Sequence, residues 1–212
     1  MTGLDLRTAL MEDARQFHQC GWMVGTAGNL SARHDLDTFW ITASGRSKGK
    51  LTVGDFARVI LDDDGSYTPH PEQLPGDCRP SAETSIHAAI YNLFPETRAC
   101  YHVHSVEGNL ISNTISGSEL LLPPLEMVKG FGIWEENPQA ILPIFENHLE
   151  VPKIAAAIFD RFHLNPPVLP ALYIRNHGVT VWGKSTREAF HYIELIEYIF
   201  RYQWQLNLLS KL

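Results

Sequence analysis

The stretch Ala99-Cys-Tyr-His-Val-His-Ser105 constrains this chain more than any other. It is apolar and rich in strand formers, and alternate side chains of a strand share one face. His102 and His104 therefore project side by side, with Val103 turned away between them. A rigid backbone that offers two imidazoles in this way supplies two of the three protein ligands of a catalytic metal. Two histidines flanking an ordinary half-buried strand would give the same pattern, so a third ligand decides. His177 is the best candidate, because it lies at the end of the strand-like Leu172–Arg175, between Asn176 and Gly178, where close packing around a ligand is easy. His18 and His191 fall in helical patterns, His34 and His70 near turns, and His163 at a helix end. His148 is loosely placed and His87 suits a core position, so all seven read as structural.

The 212 residues around this strand suffice for one substantial core, and with no Pro/Gly/Ser-rich linker they read as a single domain over 1–212. A net charge of −7 argues against a nucleic-acid partner, which would require a basic face. An anionic small molecule stays open, since a phosphate pocket needs only a few N–H groups and one Lys or Arg. Cys20, Cys78 and Cys100 form neither a disulfide framework nor a thiolate zinc site, being odd in number and without C-x-x-C. Met1–Arg7 has no basic-then-apolar signal pattern, and no uncharged apolar run is long enough to span a bilayer. A cytoplasmic protein without a membrane partner is expected.

Apolar residues at Leu6, Ala9, Leu10, Ala14 and Phe17 predict a helix over Leu4–Cys20, ended by Gly21, with Asp5 in its first turn. Strands are expected at Asn29–Arg33, Phe39–Thr42 and Val59–Leu61, the last running into an acidic turn at Asp62–Gly65. The turns Thr26–Asn29 and Thr42–Lys48 are rich in Gly, Ser and Thr, and suit either ordinary turns or anion cradles. Ser81 reads as the N-cap of a helix through Leu93, with Glu83 in its first turn, there to complement the dipole or to point a carboxylate toward a site. Further helices are expected at Ser105–Thr114, Leu149–Phe162 and Ser185–Leu209, and strands at Ile141–Phe145, Leu172–Arg175 and Val179–Gly183. Pro123-Pro124 keeps Glu126 out of any central strand.

Gly25-Thr-Ala-Gly-Asn-Leu-Ser, Ile41-Thr-Ala-Ser-Gly, Pro80-Ser-Ala-Glu, His102-Val-His and Asn176-His-Gly stand in the order and spacing of the class II aldolase/adducin family. The chain resembles that family over nearly its whole length. The resemblance implies an α/β fold, three layers α/β/α around a mixed, mostly antiparallel sheet. It implies a homotetramer with sites at subunit interfaces and one Zn2+ per subunit, held by His102, His104 and His177. It places a substrate phosphate at Gly28, Asn29, Thr42, Ser44, Gly45 and Ser81, and makes Glu83 a ligand or base. Ala82 stands where aldolases of the family often carry a second Ser, which argues against a simple copy of their phosphate site.

Within the family, Glu126-Met-Val-Lys-Gly130 and Pro143-Ile-Phe-Glu-Asn147 are most like the branch that dehydrates a thioether-bearing pentulose 1-phosphate in methionine salvage. That implies a phosphorylated ketose as substrate and an enediolate stabilised by zinc. Retro-aldol cleavage or epimerisation of a sugar phosphate would pass through the same enediolate, and a non-catalytic adducin-like module is the reading from another class. The proton donors and acceptors must separate dehydration from aldol cleavage. Glu126 is the expected acid/base, with Glu83 second, and Phe131, Ile133 and Trp134 are candidates for the thioether pocket.

Overall fold

A computed structural model describes residues 5–62, 66–70 and 78–210; the acidic turn at 63–65 and the start of the N-terminal segment, 1–4, lie outside them. The elements are α1 (Leu6–Gln19), β1 (Asn29–Arg33), β2 (Thr38–Thr42), β3 (Phe56–Leu61), β4 (Tyr67–Pro69), α2 (Thr84–Leu93) and β5 (Ala99–Val103). Then come α3 (Val106–Thr114), β6 (Glu119–Leu121), β7 (Ile141–Phe145), α4 (Val151–Leu164), β8 (Ala171–Ile174), β9 (Gly178–Gly183) and α5 (Thr186–Leu209). The strands form one sheet in the order β4-β3-β2-β1-β5-β9-β8-β7-β6. Among the described residues only β7 and β8 pair in parallel, so the sheet is mixed and mostly antiparallel.

Alternation along β5 sorts the two cores. Tyr101 and Val103 pack with Leu10 and Phe17 of α1, Ile111 of α3 and Ile193 of α5. Cys100 faces the other way, onto Ile86 and Ile90 of α2 and Ile154 and Ile158 of α4. Helices thus cover both faces, as a central strand that is fully buried requires. Each large apolar side chain removed from water contributes roughly 1.5–3 kcal/mol.

Local signals account for most boundaries. Asp5 caps α1 rather than joining its first turn, its carboxylate accepting from Arg7 N–H. Ser105 and Ser185 cap α3 and α5 in the same way. The start of α2 differs from expectation: its N-cap is Glu83, and Ser81 lies two residues upstream. The Ser81 hydroxyl accepts from Glu83 N–H at 3.3 Å, so the helix entry is held while the Glu83 carboxylate stays free of capping duty.

One buried group works against stability. Glu197 of α5 is 3% exposed and its Oε1 has no hydrogen-bond partner. Burial pushes its carboxyl up to about 8 from 4.5, against a smaller opposing hydrogen bond from Ser105. Between these two values the folded chain holds a proton that the unfolded chain has released, so stability falls as pH rises through the window. Glu197→Gln should stabilise the protein by on the order of 3 kcal/mol near pH 7 and by little near pH 4.5. Thermal unfolding of variant and parent at pH 5 and pH 8 tests this; an equal Tm difference at both pH values would refute it.

Candidate metal centre

Three strand ends and one helix start meet at the site. In register, Asn29 of β1 lies opposite His102 of β5, and His102 lies opposite Thr180 of β9. His104 stands just beyond β5, where its backbone N–H donates to the Trp22 carbonyl at 2.8 Å. His177 occupies the tight turn between β8 and β9, its N–H donating to the Ile174 carbonyl at 3.0 Å. Asn176 before it adopts φ +54°, a left-handed conformation that Asn tolerates better than most residues. Glu83 enters from the start of α2.

One ligand atom from each of Glu83, His102, His104 and His177 falls within 4.8 Å of all the others. The three imidazole rings lie 4.6–4.9 Å apart, centroid to centroid, and are nearly perpendicular to one another. His102 Nε2 and His104 Nε2 face each other at 2.8 Å, and His177 Nε2 lies 2.6 Å from Glu83 Oε1. His102 Nδ1 lies 2.9 Å from the Thr180 hydroxyl. Donating that N–H to Thr180 leaves the Nε2 lone pair pointing into the cluster.

Burial holds His102 well below the usual histidine range despite the neighbouring Glu83 carboxylate, and takes His104 down to about 4. Burial works the other way on Glu83, but His102, His177 and the Asn29 amide outweigh it and keep that carboxyl well below its ordinary value. The cluster therefore sets one carboxylate beside His102 and His104, both of which burial favours in their neutral form. Two neutral imidazole nitrogens facing each other at 2.8 Å need a shared proton or cation between them, and three imidazoles with one carboxylate suit a divalent ion of intermediate softness. The residues fit a metal.

Glycine is what lets the histidines converge. A Cβ on Gly178 would stand 2.2 Å from the Val103 carbonyl and 2.7 Å from His104 Cδ2. Gly178→Ala should therefore weaken binding of a divalent cation at least tenfold and cost about 1–3 kcal/mol of stability, the usual range for overpacking. Competition titration with a chromophoric chelator measures the first and thermal unfolding the second; parental cation affinity would contradict the expectation.

Beside the cluster lies a cleft of about 180 Å³ lined by Gly28, Asn29, Ser44, Gly45, Lys48 and Ser81, with Glu83 and His104 at its edge. Gly28 has φ +73°, and a Cβ there would meet the His102 carbonyl at 2.8 Å. Lys48 is buried, and its ammonium donates to the carbonyls of Thr26 at 2.7 Å and Arg46 at 3.0 Å. One N–H remains for the cleft, and burial, opposed by Glu83, brings the group to about 8.

Not every expected residue arrives at the cleft. Thr42 is fully buried at the end of β2 and its hydroxyl accepts from Leu30 N–H at 3.3 Å, so it braces two strands and does not line the cleft. Ala82 is exposed. Asn29 lines the cleft, yet its side chain is engaged, donating to Glu83 Oε2 and accepting from His87. Glu126 begins a 3-10 helix over Glu126–Phe131, stands outside the four-residue cluster, and is 76% exposed with its carboxylate 3.0 Å from Lys129 Nζ. Phe131 and Ile133 pack against the core, Phe131 stacking on Tyr192, which leaves Trp134 as the exposed member of the expected apolar trio.

Two participants have weak signals in the chain. Thr180 becomes visible only through strand register. His87 sits four residues after Glu83, one helical turn, which places both on one face of α2.

Residues 8–204 match the family described as the class II aldolase and adducin N-terminal domain. A methylthioribulose-1-phosphate dehydratase of Microcystis aeruginosa is 59% identical over 198 residues, covering 93% of this chain and 94% of that protein. A protein of the same name from Leptospira biflexa is 42% identical, covering 92% of this chain and 96% of its own length. Among solved structures, YgbL of Escherichia coli superposes with a TM-score of 0.76 at 26% identity, covering 95% of this chain and 89% of that one. L-fuculose-1-phosphate aldolase of Thermus thermophilus superposes with a TM-score of 0.74 at 22% identity, covering 98% and 97%, which shows the shared fold.

Proposed function

We propose that this chain, which belongs to the class II aldolase and adducin family, is a lyase that dehydrates 5-methylthioribulose 1-phosphate to 5-methylthio-2,3-dioxopentyl phosphate in methionine salvage. The observation that carries the reading is identity of 59% to a dehydratase of that name across nearly the full length of both proteins. The metal cluster supports it, since a non-catalytic scaffold has no use for one buried and two half-buried imidazoles converging on a carboxylate.

Zinc is the ion we assign to the cluster, with His102, His104 and His177 as ligands and Glu83 beside them. It would supply Lewis-acid polarisation of the ketose carbonyl and of the adjacent hydroxyl. The chain's own groups do the rest. Gly28, Ser44, Gly45 and Ser81 offer backbone N–H groups and hydroxyls for the phosphate, and Lys48 adds the positive charge. Glu126 takes the C3 proton; the C3–H electrons become the C2–C3 double bond and the carbonyl π electrons move onto the C2 oxygen. The proton then passes to the C4 hydroxyl. As the C2 carbonyl re-forms, the C2–C3 π electrons shift to C3–C4, the C4–O bond breaks and water leaves. Tautomerisation of the enol gives the 2,3-diketone.

An exposed Glu126 suits a site shared between subunits, and we assign the protein a homotetramer with sites at its interfaces and a cytoplasmic location. Incubation with methylthioribulose 1-phosphate tests the function directly. A diketone or enol chromophore is the expected product, whereas dihydroxyacetone phosphate would replace the dehydratase reading with an aldolase one.

A further inference from the structure

We infer that His87 is a positioning residue that sets the Glu83 carboxylate through Asn29, in the middle of a one-way chain of hydrogen bonds buried between β1 and α2. The chain runs Tyr91, Ser31, His87, Asn29, Glu83. Tyr91 Oη lies 2.8 Å from Ser31 Oγ, and Ser31 Oγ lies 2.7 Å from His87 Nδ1. His87 Nε2 lies 2.5 Å from Asn29 Oδ1, and Asn29 Nδ2 meets Glu83 Oε2. Tyr91, Ser31, His87 and Asn29 are all buried, so no water competes for these bonds.

Chemistry settles the direction of every proton. An ionised carboxylate only accepts, so Asn29 turns its NH2 toward Glu83 and its carbonyl toward His87. A carbonyl also only accepts, so His87 carries its hydrogen on Nε2 and presents a lone pair at Nδ1. Ser31 must then donate to Nδ1, and Tyr91 donates to Ser31. The Cys100 carbonyl, 3.3 Å from Ser31 Oγ, is the longer alternative for that proton. Burial keeps the His87 ring neutral, lowering it to about 4 against the opposing Glu83 charge.

The consequence is a fixed rotamer. With Oε2 held by Asn29, Oε1 of Glu83 is left facing His177, and the carboxylate cannot swing into the neighbouring phosphate cleft. Two devices therefore aim the cluster from outside it: Thr180 orients His102, and His87 orients Glu83. Asn29, expected to bind phosphate, gives one N–H and its carbonyl to this task.

The experiment has one arm independent of metal. In metal-free protein labelled with 15N-histidine, His87 should be the neutral Nε2–H tautomer; an Nδ1–H tautomer or an imidazolium would overturn the inference. The second arm rests on the zinc reading and measures zinc affinity by competition titration. His87→Leu should weaken it about tenfold, and His87→Gln, whose amide N–H reaches the place of Nε2–H, should restore most of that loss. Unchanged affinity in folded His87→Leu would overturn the inference. If that variant does not fold, Asn29→Ala takes its place with the same expected loss. A parental protein that binds no zinc would refute the metal centre, and the tautomer would then decide the His87 chain alone.

Discussion

His104→Ala should lose metal and turnover together. His104 contributes one of three convergent imidazoles, and its Nε2 lies 2.8 Å from that of His102. Alanine leaves His102 and His177 with Glu83, one neutral donor fewer and a water-sized gap where a ligand stood. A catalytic zinc site depends on three protein ligands around an open position, so metal content should fall from about one ion per chain to a small fraction of that. The substitution removes a ring beyond the end of β5 without touching the strand pairs, so unfolding of the metal-free proteins should change little. Elemental analysis of protein purified without chelator, together with the rate of diketone formation, measures both losses. Full zinc content in the variant would remove His104 from the ligand set.

With Glu126 as the proposed acid/base, Glu126→Gln should do the opposite with metal, leaving it bound while turnover falls by about 10² to 10⁴, the range for loss of a general acid or base. Glutamine keeps the shape of the side chain but cannot take the C3 proton at neutral pH. The side chain is 76% exposed and its partner Lys129 is 41% exposed, so breaking that pair should leave Tm close to the parent's. The pair of variants separates the two tasks proposed above, metal binding by the histidines and proton transfer by Glu126. Full activity in Glu126→Gln would move the acid/base role elsewhere, with Glu83 the next residue to test.

The site was partly legible in the chain and partly not, for reasons that particular residues show. His102 and His104 were readable because strand periodicity is local and needs no partner. His177 was readable because the backbone it needs, a left-handed Asn176 followed by a crowded Gly178, leaves its mark as Asn-His-Gly. Thr42 was misread because its Gly- and Ser-rich neighbourhood says nothing about which hydroxyl a backbone N–H on the next strand will claim. Glu83 was readable as a helix-start carboxylate, but that its two oxygens meet His177 and Asn29 became visible only once the helix was packed.

Because helix and strand periodicity and turn chemistry act over a few residues, the sequence by itself determined most of the helices and strands, the His-Val-His and Asn-His-Gly segments and the two Gly-rich loops. It did not determine β4, β6 or the 3-10 turn at Glu126. Only the tertiary structure decided how those parts face one another. The register of β1, β5 and β9 sets Asn29, His102 and Thr180 in one row, and α2 packed across that row brings His87 onto Asn29. A hydrogen bond 2.5–2.9 Å long between residues 58 or 78 positions apart depends on sub-ångström placement of whole layers. That placement comes from the packing of two cores and from no local pattern.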